Sequence, residues 1–498
     1  MKTANISPPF IKKFNDSGCC FIFDVNTNQV VEVEKPVYDI IDNYGKESAD
    51  QLVKLFRNVY EPSTIKHSIA EIENAREQLG IFSGFRPKKV TLGIKTTEGL
   101  KKLHETGITQ LVLQVRKDCN LDCGYCYTSG KYSHNTGPFS FMPVETCKKA
   151  IDFFCQRTAH KEEAFISFYG GEPLLGFPLI KEAVRYALGK KGSTTYHFSM
   201  TTNGTLLNQE IIDFLIAHDV SVLVSLDGPK TVNDRYRVFK NGEGTFNRVM
   251  KNLEYIKRCD SRYFSDRIGI SCVLAPPYNT IDDILDFFST NETMNPLKQR
   301  IRSSPVNTKY TTFFEDNRLK EMEGLKDVED KFKNNLKQAV LSRDLDGLTI
   351  ERRKLYSILY NLARRPIKQL HKYVHPFGTC HIGLKRLFVD VNGNFNICER
   401  VHENFRIGNI DRGFDFEEIV RYYLEYDELM EGCSDCWALN HCERCWATIG
   451  QLEECDNEEK EKYCSLNRTI IEKALVFYTQ LLREDRKCFE VFNDVSIR

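Results

Sequence analysis

From residue 100 to 305, short apolar runs alternate with stretches whose apolar positions recur at helical spacing. The runs Gln110 to Val115, Ala164 to Tyr169, Tyr196 to Thr201, Val220 to Ser225, Ile268 to Val273 and Arg300 to Pro305 read as strands. Between them Val144 to Thr158, Pro178 to Gly189, Gln209 to His218, Thr245 to Arg258 and Ile281 to Ser289 read as helices. Repeated βα units predict an α/β fold with a parallel sheet. Ligand sites in such folds gather at the C-terminal ends of the strands.

The first 90 residues follow a different pattern. Cys19 to Asp24 and Gln29 to Glu34 are β-rich runs joined by the turn-rich Val25-Asn26-Thr27-Asn28, which predicts a hairpin. Helical patterns follow at Pro36 to Tyr44, Ala49 to Asn58 and Pro62 to Phe82, the last with Ile65, Ile69, Ile72 and Leu79 on one face. Residues 306–375 are charged and helical, which predicts a solvated connection. In 376–498 a second hairpin is expected, with Leu387 to Val391 and Phe395 to Ile397 flanking Asn392-Gly393.

Composition narrows the setting. A chain of 498 residues suggests roughly three domains. Lys plus Arg (69) equals Asp plus Glu (69), so no global charge recruits nucleic acid or an anionic membrane. The N-terminus lacks an apolar signal segment and no stretch approaches a membrane span, so a cytoplasmic protein is expected. In a reducing compartment the 18 cysteines read as metal ligands where clustered and as small buried side chains where scattered, as at Cys147, Cys155, Cys259, Cys272 and Cys488.

The densest cluster, Cys119-x3-Cys123-x2-Cys126, directly follows the first strand. Three thiolates on a [4Fe-4S] cubane leave one iron without a protein ligand, and that vacancy is a place for chemistry. A zinc turn or an electron-transfer cluster is the alternative. The run CNLDCGYCY resembles the signature of the radical S-adenosylmethionine (SAM) enzymes, in which the open iron chelates SAM and its one-electron cleavage yields a 5′-deoxyadenosyl radical. The resemblance implies a partial (β/α)6 TIM-type barrel over 100–305, with Tyr125 near the adenine. Gly170-Gly171-Glu172-Pro173 after the second strand resembles the family's GGEP turn at the SAM amino group. Thr202 and Asn203, in Thr202-Asn203-Gly204 after the third, resemble a ribose and methionine contact. Ser225, Asp227 and Arg237 follow the fourth; in related maturases a Ser and an Arg at this spacing hold the SAM carboxylate and ribose.

The remaining cysteines run Cys380-x12-Gly393-x4-Cys398, then Cys433-x2-Cys436-x5-Cys442-x2-Cys445-x18-Cys464. This order resembles the SPASM domain of radical SAM enzymes acting on peptides and proteins, which carries two auxiliary [4Fe-4S] clusters. The resemblance implies Cys433, Cys436, Cys442 and Cys464 as ligands of an outer cluster and Cys380, Cys398 and Cys445 as ligands of an inner one. A zinc ribbon is the competing reading of Cys433 to Cys445. The family has three residues between its last pair where this chain has two, which leaves Cys455 as a candidate beside Cys445. Where relatives place an extra Cys, six positions after the first, this chain has Arg386, so the inner cluster would keep an open iron able to bind and deprotonate a substrate thiol.

Residues 1–90 resemble the winged-helix-like leader-recognition module of ribosomal-peptide maturases, in which the precursor's leader adds a strand to a sheet edge. Three [4Fe-4S] clusters, SAM, a Cys-containing precursor peptide and a reduced flavodoxin- or ferredoxin-type electron donor follow as expected cofactors and partners. The whole implies a maturase forming Cys sulfur-to-carbon thioethers, as in sactipeptides or ranthipeptides. Formylglycine formation of the sulfatase-maturase type, with Glu399 as the base or else simply salt-bridged, is an alternative. So are carbon-carbon crosslinking and a non-catalytic electron carrier.

Overall fold

The computed structural model describes residues 7–94, 96–126, 140–190, 192–306, 312–316, 324–352, 359–401, 403–449 and 457–493. In chain order the strands are β1 (Ile11–Asp16), β2 (Cys19–Asp24), β3 (Gln29–Val33), β4 (Lys89–Val90), β5 (Ile108–Arg116), β6 (Glu163–Gly170), β7 (Thr195–Thr202), β8 (Ser221–Ser225), β9 (Ile268–Leu274), β10 (Ile301–Pro305), β11 (Tyr373–Val374), β12 (Lys385–Val389), β13 (Asn394–Asn396), β14 (Arg406–Asn409) and β15 (Gly413–Phe414). Two compact units divide the chain: Met1–Ile94 with Tyr356–Thr379 and Tyr422–Arg498, and Lys95–Leu355 with Cys380–Arg421.

The second unit is built on one ten-stranded sheet in the order β10-β9-β8-β7-β6-β5-β12-β13-β14-β15. All six expected strands are present as β5 to β10, each parallel to its neighbour, and helices Val144–Thr158, Phe177–Leu188, Gln209–Ala217, Phe246–Cys259 and Ile281–Thr290 lie where periodicity put them. The α/β expectation therefore holds. Leu111, Leu113, Ile166, Val224 and Ile270 are buried on strands covered by helices on their faces. The sheet then continues through a pairing that local pattern does not announce. β12 runs parallel to β5, with Leu387 opposite Leu111 and Val389 opposite Leu113, and turns back through Asn392-Gly393 into antiparallel β13. Gly393 has φ +82°, which the turn requires of it.

In the first unit β1-β2-β3 form an antiparallel sheet, one strand more than the hairpin alone, and pack on helices Lys35–Ile40, Ala49–Phe56 and Pro62–Leu79. Ile22, Ile40, Ile41, Leu52, Ile65 and Ile72 make the buried core between them. The middle helix starts at a reciprocal cap in which Gln51 N donates to the Ser48 hydroxyl and Ser48 N to Gln51 Oε1 at 2.9 Å. The hairpin loop is tied to distant segments. Leu370 N donates to Asn26 O at 2.8 Å, Asn440 Nδ2 to Val25 O at 2.8 Å, and His441 Nε2 meets Asn28 Oδ1 at 2.9 Å.

In 306–375 the described residues include helices Phe313–Asp316 and Leu325–Ser342, the latter burying Val328, Phe332, Leu336 and Val340. The helical readings at 317–323 and 353–358 lie outside the described residues. Cys147, Cys272 and Cys488 are buried as expected, but Cys259 is exposed because it ends its helix at the surface. Among the described residues no helix is long and apolar enough to cross a membrane.

Candidate functional site

β5 ends at Arg116 and delivers the chain through Lys117 and Asp118 to Cys119. Arg116 clasps Asp118 with two hydrogen bonds, Nε to Oδ1 at 2.7 Å and Nη2 to Oδ2 at 2.9 Å, and holds that carboxyl below its usual range. Gly171 N then donates to Arg116 O at 2.9 Å, and Glu172 N to Asp118 O at 3.0 Å. A Cβ on Gly170 would lie 2.1 Å from Arg116 O and one on Gly171 2.3 Å from Asp118 O, and Gly170 also has φ +137°. The two glycines let the end of β6 meet the entry to the cysteine loop backbone to backbone.

The loop is held on its other side by residues 236–239, with Asp122 N donating to Val238 O at 2.9 Å and Gly124 N to Tyr236 O at 3.1 Å. Cys123 is buried and Cys119 and Cys126 are half-buried. Burial pushes the Cys119 thiol up to about 11 and the Cys123 thiol up to about 12, with the neighbouring sulfurs adding to both shifts. Leu121 N and Asn203 Nδ2 approach Cys119 Sγ at 3.4 and 3.6 Å. Left alone Cys119 and Cys123 stay thiols at neutral pH; a cationic cluster would convert them to thiolates, with Cys119 stabilised by those N–H donors. Among the described residues no three His, Cys, Asp or Glu converge as a single metal ion would need. A cubane takes one thiolate per iron and does not require that convergence. That Cys119, Cys123 and Cys126 hold such a cluster is proposed below.

Glu172 is fully buried, and its carboxylate accepts from Leu174 N (3.0 Å), Thr202 Oγ1 (2.7 Å) and Asn203 N (2.7 Å), which braces the end of β6 against the end of β7. Burial raises its carboxyl to about 7 against these three hydrogen bonds. Pro173 opens the buried turn Pro173–Gly176 beside it. Asn203 reaches further, with Nδ2 donating to Asn120 Oδ1 at 2.8 Å and Oδ1 accepting from Thr205. The Gly-Gly-Glu-Pro and Thr-Asn-Gly elements thus converge on Cys119. Asn120 ties the Thr-Asn-Gly side to the cysteine loop through Asn203 and Thr205, a role that its place in the CNLDCGYCY run did not reveal.

Ser225 is the half-buried last residue of β8, paired with Ser271. Just beyond, Asp227 Oδ2 meets Arg237 Nε at 2.9 Å, accepts the hydroxyl of Tyr125, and its Oδ1 accepts from Val273 N at 2.8 Å. The Arg237 guanidinium lies 5.5 Å from the centre of the Tyr125 ring, which packs edge-on against Tyr236 and Phe313. Phe313 comes from the 306–375 segment, so that connection supplies a wall to this site.

Of the inner-cluster candidates, Cys380 and Cys398 lie in the second unit and Cys445 in the first. Cys380 is exposed; Cys398 is half-buried, with Arg400 N 3.3 Å from its sulfur. Glu399 pairs with Arg386, Nη1 to Oε1 at 2.8 Å, and Arg386 Nε also donates to Gln110 Oε1 at 3.1 Å. The residue standing where a further ligand was looked for is thus the ion-pair partner of the candidate base.

In the first unit Cys433, Cys436, Cys442 and Cys464 are half-buried, with burial raising Cys433 and bringing Cys442 up to about 11. Arg444 lies among them, its Nη2 2.8 Å from Cys464 Sγ. Nothing in Cys-Glu-Arg-Cys says which way this side chain turns, so spacing alone assigns Arg444 no role. Cys445 is half-buried, and Cys455 lies outside the described residues.

Residues 113–289 match the Radical SAM superfamily. The chain is 28% identical over 165 residues to the cysteine-type anaerobic sulfatase-maturating enzyme of Clostridium novyi, covering 31% of this chain and 42% of that protein. It is 25% identical over 278 residues to the radical SAM cyclopropyl synthase TigE of Paramaledivibacter caminithermalis, covering 51% and 54%. The chain thus spans about half or less of the length of these relatives. The solved structure of native anSMEcpe with bound AdoMet superposes with a TM-score of 0.54 at 17% identity, over 78% of this chain and all of that one. That likeness shows a shared α/β fold. The family match identifies residues 113–289 of this chain as a radical SAM domain.

Proposed function

We propose that this protein is a radical SAM maturase of peptides that joins a cysteine sulfur to a carbon atom of a ribosomally made precursor. Cys119, Cys123 and Cys126 would hold the cluster that binds SAM and cleaves it to a 5′-deoxyadenosyl radical. In net terms a thiol and a C–H bond become a C–S bond. One hydrogen leaves on 5′-deoxyadenosine, the other leaves as a proton, and SAM, split into methionine and deoxyadenosine, is the two-electron acceptor.

This chain's residues serve that reaction in distinct ways. Tyr125, Asp227 and Arg237 form a dry, aromatic-walled rim, and Glu172 with Thr202 and Asn203 sets the adjoining strand ends. The similarity to a sulfatase-maturating enzyme supports a peptide or protein substrate. The thioether reading rests on one observation: Arg386 stands where a further thiolate would, and its guanidinium is engaged by Glu399 at 2.8 Å. That pairing supplies no ligand to the inner cluster near Cys380 and Cys398, which leaves an iron for a substrate thiolate, and it occupies the carboxylate otherwise suited to be a base.

Formylglycine formation is a second reading, favoured by Glu399 Oε2, which is buried with no hydrogen-bond partner among the described residues. The test is anaerobic turnover of the cluster-reconstituted protein with SAM, reductant and a Cys-rich precursor. Loss of two hydrogens per event, with the cysteine no longer alkylated, is the expected result. An alkylatable cysteine after the same mass loss points to carbon-carbon bonding, and an aldehyde with sulfur loss to formylglycine. No deoxyadenosine from protein carrying its clusters would defeat the radical-enzyme reading altogether.

A further inference from the structure

Arg444 is only 5% exposed, yet among the described residues the charged groups facing it are cysteines and a tyrosine, with no carboxylate. Its Nη2 donates to Cys464 Sγ at 2.8 Å, and Nη1 reaches Leu429 O at 3.5 Å and Met430 Sδ at 3.6 Å. Cys433, Cys442 and Cys464 are its electrostatic neighbours, and the Tyr463 ring lies 5.8 Å from its guanidinium carbon. Nε is buried without a hydrogen-bond partner among the described residues. A buried cation needs an anion, and a buried N–H needs an acceptor. Four thiolates on a cubane meet both needs, whereas four neutral thiols meet neither.

We propose that Arg444 is a positioning residue of the outer auxiliary cluster that raises its reduction potential. Nη2 donates to the Cys464 sulfur, and Nε is left as a further buried donor. Reduction adds one negative charge to the cluster. A fixed guanidinium with N–H donors on the sulfurs favours the more negative form, and hydrogen bonds to sulfur are among the levers that set such potentials. The outer cluster thereby becomes a better electron acceptor than it would be without the arginine. The inference rests on the maturase reading only in assuming that Cys433, Cys436, Cys442 and Cys464 hold a cluster, and it needs no turnover to be tested.

The experiment is an EPR-monitored redox titration of the anaerobically reconstituted full chain, without SAM or peptide, in a Cys123→Ala background that removes the signal of the first cluster. Arg444→Met, Arg444→Gln and Arg444→Lys are compared with the parent, each with its iron and sulfide content. Arg444→Met should lower one auxiliary midpoint by at least a tenfold change in the reduction equilibrium, about 59 mV for a one-electron couple, and leave the other in place. Arg444→Gln and Arg444→Lys, which keep either donors or charge, should fall between. Unmoved midpoints at full iron content overturn the proposal. Loss of the same cluster from all three variants also overturns it, leaving Arg444 a role in assembly and not in potential. If the parent itself binds no auxiliary iron, the maturase reading has failed first, and iron analysis shows this before any titration begins.

Discussion

Arg237 and Asp227 form an ion pair at 2.9 Å with both side chains nearly out of water. The carboxylate also receives the Tyr125 hydroxyl and Val273 N, so removing its charge strands a buried guanidinium and loosens two further contacts. Asp227→Asn should therefore cost about 3–5 kcal/mol. Replacing both partners by apolar residues of like volume should cost less than the two single changes together, because no unpaired charge remains. Denaturant titration of the four proteins checks this, and an Asp227→Asn change that leaves the midpoint in place would refute it.

Gly171→Ala tests the backbone approach beside the cysteine loop. The added Cβ would come 2.3 Å from Asp118 O, and backbone cannot swing aside as a long side chain can. A loss of roughly 2–4 kcal/mol is expected, in the range of overpacking and backbone strain. Thermal unfolding together with iron uptake by the loop are the measurements; an alanine variant with unchanged melting and iron content would show that the strand ends can part freely.

Glu172 predicts a pH dependence. Burial raises its folded carboxyl to about 7 from an unfolded value of 4.5, so the native state holds this proton more tightly than the unfolded chain does. Its contribution is fully present below about pH 4.5 and declines as pH rises toward and through 7. Glu172→Gln should flatten that part of the stability profile while costing about 1–3 kcal/mol, since an NH2 now faces a donor. Stability curves of both proteins across this range decide it, and an unchanged slope would assign the pH dependence to other groups.

Glu399→Gln separates the two readings of the reaction. A general base contributes roughly 10²–10⁴-fold to rate, whereas a half-exposed ion pair with Arg386 contributes about 0–1 kcal/mol to stability. Peptide product formation is expected to fall by less than about tenfold, with little change in melting. A loss of two orders of magnitude at unchanged iron content would make Glu399 the base and favour the formylglycine chemistry.

What could be read without coordinates follows from range. β5 to β10 were legible because each is a short apolar run bounded by an amphipathic helix, so pattern and neighbours agree. β1 was not, because Lys12 and Lys13 break its apolar run and only Phe14 and Asp16 are buried. The parallel pairing of β12 with β5 joins Arg386 to Gln110 across most of the chain, and periodicity carries no information about partners so distant. At the site, the cysteines and the residues after each strand were found by their spacing. The bonds that hold them were not, since Asp227 and Arg237 were each singled out without sign that they answer one another, and Arg444 was passed over between two cysteines.

The tethering of the Val25–Asn28 loop has a consequence for how the protein is made. Asn28 meets His441, 413 residues later in the chain. At 5–20 residues per second the ribosome needs roughly 20 to 80 s between them. The early sheet and its three helices therefore emerge long before their last anchors, and the loop must wait with its hydrogen-bonding groups in water. Cys433, Cys436 and Cys442, proposed above to hold the outer cluster, lie beside His441 in the chain and so emerge in the same interval as that anchor.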